Sequence, residues 1–263
     1  MKVDSAALLP DLAGSRMLII GAGGVGLATA QLAESVGVTV VVADHSAAQL
    51  EQAKAALASA VALDVDARDD VCLSGVLDYA CADHIVLATG TPLFTPVAQQ
   101  EPAALMHWIG DRIEPLVTIA RWIARHEPRP RSFTVVSGWI WLPQPDLLSW
   151  AIMGPAIKGA VEFLAVDLGP TRVNAIGPGP MMNSPLVARA MFPDGMTQPE
   201  RDAATAAFAA RLPVKRPVLL EDAARQILLL AGDPVATGAL RHVDGGMALT
   251  MQPMIAEHST VDS

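Results

Sequence analysis

Six consecutive residues near the start of the chain, Gly21-Ala22-Gly23-Gly24-Val25-Gly26, satisfy the pattern G-x-G-x-x-G. Glycines at this spacing permit a tight turn and a close approach of the backbone to a pyrophosphate, which the amino end of a following helix favours. The pattern alone is weak, because glycines also serve close packing. Here an apolar run precedes it and a segment of helical periodicity follows it. We therefore predict a strand, a turn and a helix that bind a dinucleotide.

A carboxylate 18 residues beyond Gly26 indicates the same ligand. Asp44 ends the apolar run VTVVVAD, close to the spacing of about 20 residues at which an acid binds the adenosine ribose. A carboxylate there accepts hydrogen bonds from a 2'-hydroxyl and repels a 2'-phosphate, and the next residue is His45 rather than an arginine. These features favour NAD over NADP. Alternatively, Asp44 only caps the helix expected from Ala47, a role for which Ser46 competes.

Short apolar runs alternate along the chain with longer helical segments, as parallel strands joined by crossover helices require. Most runs lack alternating polarity, which is typical of strands buried on both faces. We predict the α/β class: a Rossmann-like, doubly wound sheet of seven parallel strands with helices on both faces. The predicted strands are Met17 to Ile20, Val38 to Ala43, Ala60 to Leu63, His84 to Leu87, Phe133 to Ser137, Arg172 to Ile176 and Leu240 to Val243. The predicted helices are Val25 to Val36, Ala47 to Ala58, Ala67 to Ala80, Ala103 to Arg125, Pro155 to Leu168, Glu200 to Arg211 and Glu221 to Ala231.

Two stretches interrupt this alternation. We expect them to be walls of the ligand site, because ligands of open α/β sheets bind beyond the carboxyl ends of the strands. The first, Gly138 to Trp150, is apolar, and the second, Gly177 to Pro199, is rich in proline and methionine and is expected to be a lid. Indoles in the first stretch could line a substrate pocket or pack a subunit interface, two alternatives of similar weight. They are Trp139, Trp141 and Trp150.

Composition fits one domain over residues 1–263, with a core of about 14–249. A formal net charge of -9 argues against nucleic acid and anionic membranes as partners, because both attract clustered Lys and Arg. The two cysteines, Cys72 and Cys81, are too few for a disulfide framework and lack zinc-ligand spacing, so we expect a cytoplasmic protein without a metal. Asp4 and Pro10 stand where a signal peptide needs an apolar stretch.

From about Gly14 to Leu249 the chain resembles the short-chain dehydrogenase/reductase family in several separate motifs. Asp64-Val65 looks like the pair that contacts adenine, and Ala88-Thr89-Gly90 stands where the family usually has Asn-Ala-Gly. The segment RVNAIGPG, residues 172–179, is similar to the family's sixth strand and its Pro-Gly turn beside the nicotinamide, while Thr237-Gly238 and Val243-Asp244-Gly245-Gly246 resemble its closing signature. The glycine turn is one residue shorter than the family's T-G-x-x-x-G-x-G.

The resemblance implies a nicotinamide dinucleotide cofactor. Gly154 to Glu162 aligns without a gap with the family's Tyr-x-x-x-Lys helix, so Lys158 is expected to hold the nicotinamide ribose. The residues expected to contact the cofactor are Gly21, Gly23, Gly24, Val25, Gly26, Asp44, His45, Asp64, Val65, Ala88, Thr89, Gly90, Lys158, Pro178, Gly179 and Met181.

The family's catalytic positions are largely replaced. Its tyrosine, which exchanges a proton with the substrate oxygen, falls on Gly154, and the only tyrosine of the chain, Tyr79, lies in the third crossover helix. The serine position falls on Ser137 or Gly138, and the asparagine position falls near Arg112. A positioned proton donor is typically worth about 10² to 10⁴ in rate, so the loss of the phenol is large.

Three functions fit these residues. The favoured one is an NAD(P)-dependent oxidoreductase with an atypical active site, acting on an apolar small molecule. In such an enzyme the proton donor either stands at another position or is not needed. An iminium substrate needs none, because hydride addition to its carbon neutralises a charge instead of creating one. The alternatives are a non-redox enzyme and a dinucleotide-binding pseudoenzyme or scaffold. The candidate catalytic residues are Lys158, Ser137, Asp146, Ser149 and Arg112.

Three of these candidates have plainer interpretations. Lys158 could remain only to bind ribose hydroxyls, which would serve all three functions. Asp146 could be an acid with a pKa raised in a dry site, although such a residue more often caps a short helix. Arg112 could anchor a substrate carboxylate, but a solvent-facing side chain is slightly preferred.

The helices Ala103 to Arg125 and Pro155 to Leu168 carry apolar faces beyond what one sheet needs. The mean hydropathy of +0.38 is high for a monomer. Family resemblance implies a homodimer or homotetramer built on this helix pair. Apart from a second copy of the chain, the expected partner is a small-molecule substrate.

Overall fold

The computed structural model describes residues 11–90, 94–138, 146–192 and 195–250. Seven strands in these residues form one parallel sheet: β1 (Arg16–Ile20), β2 (Thr39–Asp44), β3 (Val61–Asp64), β4 (His84–Leu87), β5 (Ser132–Val136), β6 (Arg172–Pro178) and β7 (Leu240–Val243). Their order across the sheet is β3-β2-β1-β4-β5-β6-β7. The direction of winding reverses between β1 and β4, which is where doubly wound sheets open a ligand crevice. The predicted fold is confirmed.

Helices follow the strands and cover the sheet. They are α1 (Gly24–Ser35), α2 (Ala47–Ala56), α3 (Asp70–Ala80), α4 (Pro102–Arg125), α5 (Leu148–Asp167), α6 (Pro185–Met191), α7 (Gln198–Arg211), α8 (Leu220–Gly232) and α9 (Met247–Thr250). A 3-10 turn, Val97–Gln99, precedes α4.

Two hydrophobic clusters lie on opposite faces of the sheet because successive side chains of a strand point to opposite sides. Leu18 and Ile20 of β1 join the first cluster, which contains α3, α4 and α5 side chains, whereas Met17 and Ile19 join the second, which contains α1 and α8 side chains. All four side chains are at most 1% exposed. Burial on both faces explains why the strand sequences do not alternate in polarity.

The start of α5 differs from the prediction. The helix was expected to begin at Pro155, since proline suits a first helical position, but it begins at Leu148. Pro155 is therefore inside the helix, where it cannot donate to the carbonyl of Ala151. The helix continues through this point because Met153, Ile157 and other side chains of its inner face are buried in the core.

Both predicted loops are shorter than expected. Residues Leu148 to Trp150 of the first belong to α5, and residues 139–145, with Trp139 and Trp141, lie outside the described residues. In the second, β6 extends to Pro178, α6 occupies Pro185–Met191, and α7 begins at Gln198. In the connection between β6 and α6, Met181 forms an isolated parallel bridge with Val218.

Helix α5 has the length and apolar composition that a membrane span requires, the one such helix in the described part of the chain. Its inner residues Val161 and Leu164 belong to the core cluster that covers β5 and β6. The helix therefore has the packing of a core helix in the doubly wound fold. Phe163 and Val166 of the same helix are 66% and 85% exposed.

Candidate active site

The carboxyl edge of the sheet gathers most of the residues that the sequence analysis selected. Parallel strands end at one edge, so the turn after β1, Asp44 of β2, Asp64 of β3, the segment Ala88-Thr89-Gly90 after β4 and Ser137 after β5 share it. Pro178 and Gly179 extend the same edge at the end of β6.

The glycine turn needs glycine at two positions. Gly21 has a φ of +103°, and a Cβ there would lie 2.5 Å from the carbonyl oxygen of Ala88. A Cβ at Gly26 would lie 1.8 Å from the carbonyl oxygen of Gly21. These contacts show that close packing fixes Gly21 and Gly26, and that the same packing closes the turn over the amino end of α1. Gly23 and Gly24 are less crowded, with the nearest atoms of Gln49 and Leu220 at 3.5 and 3.1 Å from a Cβ.

The amino end of α1 suits an anionic ligand. Gly23 is the N-cap, no side chain caps the helix, and the first turn contains no acidic residue. The first N–H groups of a helix carry a partial positive charge and require acceptors. The turn and the helix end therefore fit the pyrophosphate of a dinucleotide.

Asp44 is held beside this turn. Its carboxylate is 8% exposed and accepts hydrogen bonds from the N–H groups of Ala22 and Ser46, both at 2.7 Å. The cap of α2 is Ser46, whose Oγ accepts from Gln49 N–H at 3.4 Å. Asp44 thus does not serve as the cap of α2, and its carboxylate ties the end of β2 to the glycine turn. His45 lies next to it and is largely exposed.

The remaining predicted cofactor contacts lie at the ends of neighbouring strands. Asp64 is exposed. Val65 is 4% exposed, and its N–H donates to the carbonyl of Asp44 at 3.0 Å. Thr89 Oγ1 donates to the carbonyl of Asp111 at 3.3 Å. A Cβ at Gly179 would lie 2.9 Å from the Cβ of Asp244, so the Pro-Gly turn packs on the closing segment of the chain.

On α5, Gly154 is buried and Lys158 lies one turn later with its side chain 45% exposed. Lys158 Nζ donates to Glu162 Oε1 at 2.5 Å. Exposed ion pairs of this kind contribute little to stability, so another acceptor can replace Glu162. To bind ribose hydroxyls, the Lys158 side chain must adopt a conformation in which its ion pair with Glu162 is broken.

Ser137 lies at the end of β5 in a buried environment. The residue is 5% exposed, its N–H donates to the carbonyl of Ile176 at 2.8 Å, and its Oγ is buried without a hydrogen-bond partner among the described residues. Its side chain lines a cavity of about 10 Å³, close to what one water molecule needs. The cavity is lined by Leu87, Thr89, Arg112, Val135, Val136, Ser137, Gly138, Met153 and Ile157.

The preference for a solvent-facing Arg112 is wrong. Arg112 is 7% exposed, and its guanidinium carbon lies 3.7 Å from the ring centroid of Trp108 and 5.2 Å from that of Trp150. Its Nη1 donates to the carbonyl of Trp108 at 3.2 Å, and a Cβ at Gly90 would lie 2.3 Å from its guanidinium carbon. Burial lowers the pKa of Arg112 from 12.5 to about 10, so the group stays cationic at neutral pH.

Trp150 packs against Gly138, one of the residues that line the cavity. A Cβ at Gly138 would lie 1.3 Å from its ring, so the indole rests directly on the Gly138 backbone. The ring also meets Trp108 edge to face, with centroids 5.3 Å apart. Trp150 therefore contacts Arg112, Trp108 and the Gly138 backbone, and the choice between a substrate pocket and a subunit interface stays open.

The other two catalytic candidates are placed differently. Ser149 is 1% exposed on the first turn of α5. Asp146 is exposed, with a φ of +64°, rather than enclosed in a dry site, and no side chain caps α5. Asp146 therefore neither lies in a dry site nor caps α5, and its catalytic role stays a prediction. Among the described residues, no three His, Cys, Asp or Glu side chains are grouped as metal ligands would be.

Sequence reasoning missed Trp108 and the importance of its pairing with Arg112. The two residues are four apart on a helix that was correctly predicted, so their side chains lie on one face. That spacing was a usable signal for a guanidinium stacked on an indole. The contribution of Trp150 depends on where α5 begins, which the sequence pattern placed too late.

Two family models match the chain. Residues 146–248 match the model described as Enoyl-(Acyl carrier protein) reductase, and residues 1–95 match the one described as Alanine dehydrogenase/PNT, C-terminal domain. The second match covers the glycine turn, the part of the chain that departs from the spacing of short-chain dehydrogenases.

Two curated proteins are similar along nearly their whole length. The Short-chain dehydrogenase/reductase ATR9 of Stachybotrys chlorohalonatus is 29% identical, over 92% of this chain and 100% of its own. The Short-chain dehydrogenase/reductase ucsE of an Acremonium species is 26% identical, over 88% of this chain and 93% of its own.

Solved structures share the fold at lower identity. A glucose/ribitol dehydrogenase of the short-chain type from Brucella melitensis aligns with a TM-score of 0.78 at 18% identity, over 91% of this chain and 99% of its own. A short chain oxidoreductase from Pseudomonas aeruginosa PAO1, described as containing an atypical catalytic center, aligns with a TM-score of 0.77 at 22% identity, over 92% of this chain and 100% of its own. Taken with the seven-stranded sheet, these likenesses show that the chain has the fold of the short-chain dehydrogenases/reductases and is similar in sequence to members of that family, which bind nicotinamide dinucleotides.

Proposed function

We propose that the chain is an NAD-dependent oxidoreductase that acts on an apolar small molecule through an altered catalytic centre. One observation supports the proposal most strongly: three features that suit a dinucleotide lie together at the carboxyl edge of the sheet. They are the tightly packed glycine turn, the uncapped amino end of α1 and the buried carboxylate of Asp44. A bound nicotinamide dinucleotide donates or accepts a hydride. The residues of this chain have to bind it, shield it from water and orient the substrate.

The buried carboxylate supports NAD rather than NADP. Asp44 is already fixed by two backbone N–H groups, so it cannot move away from a 2'-phosphate without breaking both hydrogen bonds. A phosphate brought next to it would meet like charge in a poorly solvated place. A ribose 2'-hydroxyl could instead donate to a remaining lone pair, since a carboxylate has about four acceptor sites.

The lining of the cavity supports an apolar substrate. Five of its nine residues have aliphatic or thioether side chains, and Gly138 exposes only backbone to the Trp150 ring. Polar groups are few and converge from three elements: Thr89 after β4, Arg112 of α4 and Ser137 after β5. The cavity has room for about one water molecule, so the support comes from the apolar character of its wall and not from its volume.

The test uses purified protein saturated with NADH. Oxidation of the nucleotide is followed by loss of its absorbance across a panel of apolar ketones, imines and enones, with Ser137→Ala as a variant of the cavity and Ser59→Ala as a remote, exposed control. Turnover of one class that falls in Ser137→Ala and persists in Ser59→Ala supports the proposal. NADH binding with no oxidation by any class contradicts it.

A second function, dinucleotide binding without redox turnover, is favoured by one observation. Glycine stands at the expected tyrosine position, and Lys158 is paired with Glu162 on its own helix. The variant Gly154→Tyr distinguishes the two functions, because it restores a phenol four residues before Lys158. Carbonyl reduction gained by this variant, with none in the parent, would indicate a binding protein on an otherwise intact site.

We also propose that the protein is a homodimer or homotetramer built on α4 and α5. Met106 and Val117 of α4 are 63% and 51% exposed, and Phe163 and Val166 of α5 are more exposed still. Light scattering tests this directly: Phe163→Glu should lower the mass of the assembly, and Tyr79→Glu, on α3, should leave it unchanged. A monomeric parent protein contradicts the proposal.

A further inference from the structure

We propose that Arg68 is a positioning residue for the adenosine half of the dinucleotide, because it fastens the loop after β3 to the turn of α4 that also holds the segment after β4. The inference rests on the proposed function, since it concerns the same cofactor site. Arg68 stands outside the glycine turn, the strand ends and the other segments to which we assign contacts with the cofactor. Its effect on binding is therefore indirect and passes through the loop that carries it.

Two walls, loop 65–69 after β3 and segment 88–90 after β4, flank the strand ends that hold the ribose carboxylate and the glycine turn. The order β3-β2-β1-β4 places loop 65–69 beyond Asp44 and segment 88–90 beyond the glycine turn. Loop 65–69 is joined to β2 at its start, where Val65 N–H donates to the carbonyl of Asp44 at 3.0 Å. An adenosine whose ribose binds Asp44 therefore lies between the two walls, and its fit depends on how far apart they are.

The side chain of Arg68 crosses from loop 65–69 to α4. Its Nε and Nη2 donate to the two carboxylate oxygens of Glu114 at 2.8 and 3.1 Å, and its Nη1 donates to Asp111 Oδ1 at 3.2 Å. Nη1 also lies 2.7 Å from Nδ1 of His107. These three partners lie on one face of α4 because they are spaced by four and three positions. Most exposed ion pairs contribute little, but a bidentate pair within a network of several charges has a defined geometry and a measurable effect.

Loop 65–69 is ordered by its own hydrogen bonds, so it moves as a unit with Arg68. Arg68 N–H donates to Asp66 Oδ1 at 2.9 Å, and Asp69 N–H donates to the carbonyl of Asp66 at 3.0 Å. Asp69 Oδ1 in turn accepts from two N–H groups in the first turn of α3, both at 3.0 Å, and so caps that helix. The position of the Arg68 guanidinium therefore fixes the whole loop, from the end of β3 to the start of α3.

The same turn of α4 also holds segment 88–90. The carbonyl of Asp111 accepts from Thr89 Oγ1 at 3.3 Å. The next residue, Arg112, packs on Gly90, where a Cβ would lie 2.3 Å from the guanidinium carbon. This turn of α4 thus contacts segment 88–90 directly and loop 65–69 through Arg68, so the two walls keep their separation only while the Arg68 contact is made.

Without Arg68 the contact between loop 65–69 and α4 becomes repulsive. Arg68 is the one basic residue of the loop, which also carries Asp66 and Asp69. Hydrogen bonds from Arg68 hold the pKa of Glu114 below its ordinary value, so this carboxylate is charged at neutral pH. Like charges on the two sides of the contact repel each other. Removal of the guanidinium should therefore move loop 65–69 away from α4 and widen the adenosine site.

The experiment measures the binding of NADH, AMP and nicotinamide mononucleotide to the purified full chain by calorimetry. Arg68→Ala should weaken NADH and AMP about tenfold each, the loss expected for one charged contact. It should leave nicotinamide mononucleotide unchanged, because that ligand contains no adenosine. Arg68→Lys, which keeps the charge and loses the planar fork, should weaken NADH and AMP by a smaller factor. Unchanged NADH and AMP affinity in Arg68→Ala overturns the proposal, and so does an equal loss for all three ligands.

Two further variants separate this role from a general contact between helices. Arg121→Ala is the matched control, because Arg121 pairs with Asp70 and so joins α3 to α4 further along the same helix. Its nucleotide affinities should equal those of the parent. Glu114→Ala should weaken NADH and AMP without adding to the effect of Arg68→Ala in the double variant, since both changes break the same contact. An equal loss in Arg121→Ala, or additive losses in the double variant, overturns the proposal.

The outcomes separate this inference from the proposed function. NADH binding and turnover that are the same in the parent and in Arg68→Ala overturn the inference and leave the proposed function standing. Binding of NADH and AMP that depends on Arg68, with no oxidation of NADH by any substrate class, defeats the proposed function and leaves the inference standing. No binding of NADH or AMP to the parent defeats both, because there is then no adenosine to position.

Discussion

One methyl group added at Gly26 should damage both the fold and the dinucleotide site. In Gly26→Ala the new Cβ would lie 1.8 Å from the Gly21 carbonyl oxygen, and real Cβ atoms do not approach closer than 3.0 Å. The turn or the first turn of α1 must therefore move by at least about 1.2 Å, the difference between these distances. Overpacking of this kind costs about 1–3 kcal/mol.

The same displacement moves the backbone N–H groups that we assign to the pyrophosphate. Hydrogen bonds weaken steeply over such distances, so NADH affinity should fall about a hundredfold or more, the equivalent of two charged hydrogen bonds. The assays are urea unfolding followed by circular dichroism and NADH titration followed by fluorescence. The unfolding midpoint should fall by roughly 0.5–1 M.

Gly75→Ala is the matched control. Gly75 lies within α3, and no atom lies within 4 Å of a Cβ added there. This variant should unfold at an equal or slightly higher urea concentration, because alanine is favoured over glycine in a helix by about 0.5–1 kcal/mol. If Gly26→Ala matches the parent protein in both assays, the close packing of the turn has been misjudged.

Three further predictions concern other residues of the sheet and the site. Burial lowers the pKa of His84 from 6.5 to about 4, so the folded protein resists protonation and loses stability as the pH falls from 6.5 towards 4. Between pH 7 and pH 4.5 the free energy of unfolding, measured with urea, should fall by roughly 2–3 kcal/mol more in the parent than in His84→Gln. Asp44→Ala should weaken NADH much more than NADPH in a fluorescence titration, and equal weakening would remove the ribose assignment. Lys158→Ala should weaken NADH and abolish any turnover, whereas Glu162→Ala, which only frees the lysine, should retain both; loss in Glu162→Ala alone would contradict this.

The strands and the carboxyl edge that is expected to bind the cofactor were predictable because short segments of neighbouring residues determine them. Where short apolar runs alternate with longer helical segments, an unbroken apolar run of four to seven residues is typical of a strand that is covered on both faces. The glycine turn and Asp44 each follow such a run, so the prediction of the strands also placed them at one edge. His45, Asp64 and Thr89 follow from the same reasoning, and their contacts with a cofactor stay predictions.

The catalytic end was less predictable because it depends on contacts between distant elements. The burial of Arg112 follows from Trp108 on its own helix and from Trp150 on the next one. A proline at position 155 looked like a helix start, although core burial of the preceding residues extends α5 back to Leu148. The periodicity of one segment does not show how strongly that segment packs against another, so the contacts between α4 and α5 could not be predicted from it.

Calorimetric titration of the protein with NADH and with NADPH tests the central claim most directly. The buried carboxylate of Asp44 beside the glycine turn predicts saturable binding of both, with NADH at least about tenfold tighter, the free energy of one charged contact. Equal affinity, tighter binding of NADPH or no binding of either nucleotide would contradict it.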